Sequence, residues 1–382
     1  MNEKSKILLV HNRYQQQGGE DSVVDEEMKM LEAHGHNVKL YTRNNTDIDH
    51  LDRTLLFVSA IWSKRTIRDL EQIISVEKPD IIHIHNTFPL ISPSVYWVAK
   101  KHNIPTIQTI HNFRLSCIQA MYIRNMKVCE DCLKKGPWRG AIRKCYRGSI
   151  LASVSSAMII QFHRIIGTYQ NKIDTYIALN EFCKQKLIEM GLPKDKIKIK
   201  PNFVTLEHAK RQIRDGNPLY VGRLSEEKGI SVLANSIKSI PNQVFDIVGD
   251  GPDKKILQRL SNVRLLGKMD QAGVYRLMQK TPFLIMPSVW YENMPRTLVE
   301  SYGNATPIIA SRIGALGELI THMRTGLLFE CGSVDDLSDS ILWALQNPDE
   351  MNKMGYEAHT DFIMKYTDKV NYRLLMEIYN NA

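Results

Sequence analysis

No run in this chain approaches the roughly twenty consecutive apolar residues that cross a bilayer, and the least polar stretch, Ser149 to Ile160, is too short to do so. The start does not read as a secretory leader, because Lys4 and Lys6 lead into only Ile7 to Val10 before the polar His11-Asn12-Arg13. A cytoplasmic protein is expected, and that compartment argues against stable disulfides among the 6 cysteines. Acidic residues are in short supply in one half only. Residues 1–200 hold 30 Lys and Arg against 20 Asp and Glu, whereas 201–382 hold 20 against 21, which sums to the net +9. Such asymmetry suits an anionic partner for the first half. Also missing are a complete Gly-x-Gly-x-x-Gly, which weakens an oxidoreductase reading, and an Asp-x-Asp at a strand end. No nucleic-acid recognition module is legible, so no nucleic-acid partner is expected.

With 382 residues, 43% hydrophobic and 24% charged, the chain is sized and composed for two globular domains. Strand-like runs at Lys6–Val10, Asn37–Tyr41, Asp80–His85, Pro105–His111 and Asp174–Leu179 alternate with helix-length segments. A second series follows at Leu219–Gly222, Val244–Val248, Val263–Leu266, Phe283–Met286 and Pro307–Ala310. Alternation of this kind predicts α/β architecture with parallel sheets covered by helices. Asn180 is placed to cap a helix ending near Met190, with Gly191 behind it. The hinge is expected between Asn202 and Asn217, and Met364 to Asn381 reads as a terminal helix. Open α/β sheets bind ligands at the carboxyl ends of their strands.

The most informative segment is Ser288 to Glu300, where a strand ends, a tight loop follows and a helix opens near Arg296. Glu292 in the loop and Glu300 on the helix could grip one ligand at two depths, and the exposed amides of a helix start favour phosphate. Upstream, Arg223 and Lys228 lie just past another strand end, where fixed cations can neutralise a leaving diphosphate. His83 and His85 are expected on opposite faces of one strand, with His83 packed.

Gly222-Arg-Leu-x-x-Glu-Lys-Gly229 followed by the spaced glutamates resembles the family 4 retaining glycosyltransferases. The resemblance extends through Gly18-Gly19-Glu20, Lys78-Pro-Asp-Ile-Ile-His-Ile-His85, Thr109-Ile-His-Asn112, Pro201-Asn-Phe-Val204, Val248-Gly-Asp-Gly-Pro252 and Ala310-Ser-Arg-Ile-Gly314. It is most similar to a bacterial polysaccharide and lipopolysaccharide subgroup carrying His111 to Cys117, Cys129-Glu-Asp-Cys132 and Cys145-Tyr-Arg-Gly-Ser149. It implies the GT-B fold, two Rossmann-like doubly wound parallel-sheet domains facing a central cleft. The acceptor domain would be 1–203, the nucleotide-sugar domain 204–365, and 366–382 a helix returning to the first domain.

The same resemblance implies a UDP-sugar or related donor, a lipid-linked or glycan acceptor, and no cofactor for catalysis. Arg223 and Lys228 would hold the diphosphate, Glu292 the donor sugar and Glu300 the ribose. His111 would reach the reacting sugar, and Gly19 would approach phosphate or acceptor. Gly249, Lys268, Met269, Asn293, Met294 and the amides of Thr297 and Leu298 would complete the nucleotide-sugar site. Pro295 replaces a residue with an amide, so it cannot donate there. An epimerase on the same scaffold and a non-catalytic nucleotide-sugar-binding subunit are the competing readings.

Four cysteines, Cys117, Cys129, Cys132 and Cys145, have partial zinc-like spacing, and a structural zinc stands against reduced, packed thiols. Around them, residues 114–147 hold nine Lys and Arg, with Glu130 and Asp131 as the only acids, interleaved with Tyr122, Trp138 and Tyr146. That surface suits an anionic membrane, giving a peripheral association with its inner face.

Overall fold

The computed structural model describes residues 4–15, 18–50, 52–206 and 214–382, apart from the side chains of Asp49 and Arg53. Two compact units emerge. The first comprises Met1–Tyr122, Glu130–Pro201 and Asn371–Ala382; the second comprises Ile123–Cys129 and Asn202–Val370. Residues 207–213, inside the expected hinge, lie outside the described residues.

In the first unit β1 (Lys6–Arg13), β2 (Asn37–Asn44), β3 (Ile81–Asn86) and β4 (Thr106–Thr109) belong to one sheet. A short antiparallel hairpin, β5 (Ile123–Arg124) and β6 (Lys127–Val128), follows in the second unit. The first sheet is then completed by β7 (Thr175–Ala178) and β8 (Ile197–Ile199), giving the all-parallel order β2-β1-β3-β4-β7-β8. Ile7 to Val10 on β1 are all buried, as a parallel strand covered by helices on both faces requires. Asn180 caps the helix Glu181–Glu189, its Oδ1 accepting from the Cys183 amide at 2.8 Å, and Gly191 (φ 88°) lies just past the end.

The second unit strings together β9 (Leu219–Val221), β10 (Phe245–Val248), β11 (Val263–Gly267), β12 (Leu284–Met286), β13 (Ile308–Ser311) and β14 (Gly326–Phe329). Their order is β11-β10-β9-β12-β13-β14, with every pairing parallel. Both sheets are thus doubly wound, reversing direction between β1 and β3 in the first and between β9 and β12 in the second. Sequence reading missed β8 and β14. Each closes an edge of its sheet, where strands run short and carry little pattern. The terminal segment Met364 to Asn381 holds the helix Asp368–Asn380, and another helix, Pro348–Lys365, ends just before that one. Among the described residues no helix is long and apolar enough to cross a membrane.

A buried polar network underlies the first sheet. Glu27, fully buried on the helix Gly19–Ala33, sits 2.8 Å from the buried Lys200 ammonium, 3.0 Å from His83 Nδ1 and 3.3 Å from His85 Nε2. His83 and His85 therefore share a face. The expectation of opposite faces was wrong, because positions two apart on a strand point the same way. Burial pushes the Glu27 carboxyl up, but Lys200, with His83 and His85, outweighs it and holds the group well below its ordinary range. Asn371 Oδ1 accepts from Lys200 at 3.0 Å and the Tyr379 hydroxyl meets His83 Nδ1 at 2.8 Å, tying the end of the chain into this core.

Replacing Glu27 by Ala leaves Lys200 buried without its counter-charge and should cost about 3–5 kcal/mol in chemical denaturation. The folded carboxyl has the lower pKa, so its contribution is present above the unfolded value and lost in acid. Wild-type stability should consequently fall more steeply below about pH 4.5 than that of Glu27→Gln; parallel profiles would contradict the assignment.

Candidate active site

At the reversal point of the second sheet, β9 and β12 are neighbours, yet the chain leaves them toward opposite sides. The loops after them must meet above the sheet edge, and small residues allow a close approach. A Cβ on Gly249 (φ 138°) would lie 1.9 Å from the Gly222 carbonyl oxygen, and one on Gly229 (φ 74°) 1.9 Å from the Pro287 oxygen. Backbone bonds tie the loop after β9 to β10 and its loop, Gly222 N–H to Val248 O and Leu224 N–H to Asp250 O, both at 3.0 Å, and to the loop after β12, Val289 N–H to Glu227 O at 3.0 Å.

This packing brings Lys228 and Glu292 together. Lys228 Nζ lies 2.5 Å from Glu292 Oε1, and Ser288 donates its hydroxyl to the same oxygen at 2.8 Å. Lys228 also stands 5.4 Å from the centre of the Trp290 ring. Glu292 is buried, so it meets the loop cation rather than bulk solvent. Arg223 leaves the end of β9 exposed, with its carbonyl accepting from the Tyr220 hydroxyl at 2.8 Å.

Beyond the loop, the helix Arg296–Gly303 starts behind Pro295 without a side-chain cap. Glu300 is buried on this helix, not solvated, and its Oε1 accepts from Arg296 Nε at 2.8 Å and from the Tyr275 hydroxyl at 3.4 Å. The Leu298 amide donates to Pro295 O at 3.1 Å, so that one expected ligand donor is engaged; the Thr297 amide remains at the helix start. Met294 holds the loop in place. Its side chain is buried, its sulfur accepts from the Asn202 amide at 3.1 Å, and its carbonyl accepts from Asn202 Nδ2 at 3.0 Å. Met294 and Asn202 pin the loop that carries Glu292 and the buried Asn293. Lys268 and Met269 are exposed after Gly267 (φ 70°), which ends β11.

Ser288, Asn202, Trp290, Tyr275 and Arg296 went unassigned in the sequence reading. Asn202 figures in the sequence only in the motif Pro201-Asn-Phe-Val204 and as one bound of the expected hinge, and nothing local tells that it reaches a loop 92 residues away.

In the first unit, Gly18 and Gly19 start a helix instead of forming an isolated turn, and the Gly18 amide donates to Asp21 Oδ2 at 2.9 Å. His111, two residues past β4, meets His85 Nδ1 through its Nε2 at 3.0 Å with the rings stacked. Burial, and then His85 and His11, holds His111 well below its ordinary pKa, so it is neutral at physiological pH. It lines a pocket with Asn112, Arg114 and Phe88.

Of the four cysteines, Cys117, Cys132 and Cys145 lie in the first unit and Cys129 in the second. Four thiolates around zinc lie about 3.8 Å apart. Among the described residues, the one trio of metal-capable groups with ligand atoms within 4.8 Å is Glu27, His83 and His85, not Cys117, Cys132 and Cys145. Burial, with Cys117 nearby, pushes the Cys132 thiol up to about 11, so it packs as a neutral thiol against Gly140. The Glu27 trio already has a cation in Lys200.

Comparison with known proteins agrees with the fold. Residues 17–208 match the family described as Glycosyltransferase Family 4, and residues 206–361 match Glycosyl transferases group 1. An uncharacterized glycosyltransferase of Methanocaldococcus jannaschii is 27% identical over 303 residues, covering 78% of this chain and 74% of its own length. The alpha-monoglucosyldiacylglycerol synthase of Acholeplasma laidlawii is 24% identical over 80% of this chain and 74% of its own. Among solved structures, Anabaena HepE in complex with UDP superposes with a TM-score of 0.69 at 16% identity, over 99% of this chain and 100% of HepE.

Gly249→Ala must push the Gly222 carbonyl aside and adopt a backbone rare for side-chain-bearing residues. A loss of about 2 kcal/mol or more in denaturation is expected, and wild-type stability would refute the close packing.

Proposed function

The chain belongs to glycosyltransferase family 4 and is a glycosyltransferase; from that premise we propose that it transfers a sugar, with retention, from a nucleoside diphosphate donor to a lipid-linked or glycan acceptor in bacterial surface polysaccharide synthesis. The observation that carries this reading is the Lys228–Glu292 pair at the reversal point of the second sheet, with Glu300 buried on the following helix. UDP is the preferred nucleotide, in line with the ligand of HepE.

In this reading the free protein keeps Lys228 neutralised by Glu292. An arriving diphosphate competes for the ammonium, and Glu292, still held by Ser288, is released to accept hydrogen bonds from hydroxyls of the donor sugar. Arg223 adds a second fixed cation, and Glu300 accepts from the ribose hydroxyls. As the bond from the anomeric carbon to the diphosphate breaks, the acceptor oxygen bonds to that carbon on the same face. The acceptor proton passes to the departing phosphate oxygen. Positive charge placed beforehand where negative charge grows is the main catalytic contribution. His111, neutral and ordered by His85, is suited to a hydroxyl of the transferred sugar.

Association with the inner face of a membrane is supported by the helix Ile150–Ile165. Leu151 (69% exposed), Met158, Phe162 and Ile165 (73% exposed) stand outward on it, within an arc of about 60° at the helical repeat. Arg143, Lys144 and Arg147 lie just before this helix, and Ile142 is exposed beside them. An apolar stripe rimmed by cations matches an anionic lipid surface.

Arg223→Ala and Lys228→Ala should each lower kcat by about 10²–10³ in an assay of nucleoside diphosphate release. The product's anomeric coupling constant by NMR should match the donor's; an inverted product would end the retaining mechanism. Leu151→Ser with Ile165→Ser should abolish co-sedimentation with vesicles containing anionic phospholipid while leaving the melting temperature unchanged. Equal binding by wild type to uncharged vesicles would refute the electrostatic part.

A further inference from the structure

The pocket of the first unit contains a cation that none of the roles above employs. Arg114 lies on a compact turn after β4, in which Asn112 Oδ1 accepts from the Arg114 amide at 3.1 Å and the Cys117 amide donates to Phe113 O at 2.9 Å. Phe113 anchors this turn. It is buried, with its ring centre 4.8 Å from that of Tyr122. The turn is therefore set by packing, and Arg114 is aimed by it.

The Arg114 guanidinium sits 4.3 Å from the centre of the Phe88 ring and 5.6 Å from that of Tyr146. Those two rings are themselves in edge contact, 6.2 Å apart. Two aromatic faces hold the planar group without consuming its hydrogen-bond donors. Arg114 Nη1 is buried and meets no acceptor among the described residues. A buried charged donor left in this state costs free energy unless a ligand completes it.

The acid whose charge Arg114 affects is Glu20. One of its oxygens, Oε2, accepts from the Tyr14 hydroxyl at 2.9 Å. Burial first of all raises Glu20 to about 7, so it is only partly ionised at neutral pH and leaves much of the arginine's charge uncompensated. Polar groups of Asn112, His111 and Gln108 share the pocket with Arg114, while Ile159 and Ile160 of the helix Ile150–Ile165 supply an apolar wall.

We propose that this pocket binds a phosphate or diphosphate ester carried by the acceptor, with Arg114 as its fork-shaped anchor between Phe88 and Tyr146. The assignment rests on the transferase reading and adds to it that the acceptor is phosphorylated. An oxyanion fits the paired N–H donors of guanidinium better than any neutral hydroxyl does. The ester belongs either to a prenyl diphosphate-linked sugar or to a soluble phosphorylated sugar; both present the same group to Arg114.

Binding to the full chain, with the donor site saturated by UDP, tests this by calorimetry using farnesyl diphosphate, inorganic pyrophosphate and farnesol. Wild type should bind at least one of the two diphosphates and bind farnesol at least tenfold more weakly. Arg114→Ala should weaken the diphosphates by about 10–100-fold with UDP affinity unchanged within about twofold, and Arg114→Lys should fall between, since it keeps the charge but loses the fork. Tyr146→Leu, which leaves Arg114 in place but removes one face, should weaken them several-fold and serves if Arg114→Ala fails to fold. Farnesyl diphosphate well ahead of pyrophosphate assigns the ester to a lipid carrier, and equal binding assigns it to a soluble acceptor. No diphosphate binding by wild type, or unchanged binding by Arg114→Ala, overturns the proposal while the donor-site reading stands. Failure of UDP to bind wild type would instead overturn the transferase reading of the second unit.

Discussion

A doubly wound parallel sheet has one place where neighbouring strands send their chains apart, and everything chemical in the second unit follows from how that place is closed. Between β9 and β12 two loops descend onto each other so closely that a carbonyl oxygen occupies the space a Cβ would need at Gly229, and the loop after β10 presses as closely on the first at Gly249. Hydrogen bonds between the loops leave little freedom, so Lys228 is delivered to Glu292 by backbone geometry rather than by a search of long side chains. A pair fixed in this way keeps its charges in position before any ligand arrives, which is the condition for electrostatic catalysis.

The first unit solves a different problem. Residues 1–200 carry the positive excess of the chain, yet the core of this unit holds an anion, Glu27, compensated by Lys200 and contacted by two histidines. Burial of this kind favours geometric definition more than net stability. Here it fixes β3, through His83 and His85, against the helix that begins at Gly19. His85 in turn orders His111, so the ring facing the pocket is set by a chain of contacts beginning at a carboxylate in the core.

Much of this was legible in the residues. The central strands announced themselves as apolar runs, Asn180 and Gly191 marked both ends of one helix, and the spacing from Glu292 to Glu300 predicted a loop followed by a helix start. The edge strands β8 and β14 escaped because three or four residues at a sheet margin carry almost no periodic signal. A motif gives neighbourhood but not direction, so the turn of the Met294 side chain inward to Asn202 was not legible. The cysteines illustrate the same limit: the short spacing from Cys129 to Cys132 does not tell that Cys132 packs against Gly140. Arg114 stood in a basic stretch and inside the His111 to Cys117 motif, but its aromatic neighbours Phe88 and Tyr146 come from distant parts of the chain and could not be read from either.

The final helix brings Asn371 to Lys200 and Tyr379 to His83, both inside the first unit's core. That unit is therefore assembled from the beginning and the end of the polypeptide. A ribosome that has released only the first two hundred residues has not yet supplied the groups that satisfy those buried polar atoms. Completion of the first half must wait for synthesis of the second, and a gene fragment encoding residues 1–201 alone specifies a domain with part of its interior missing.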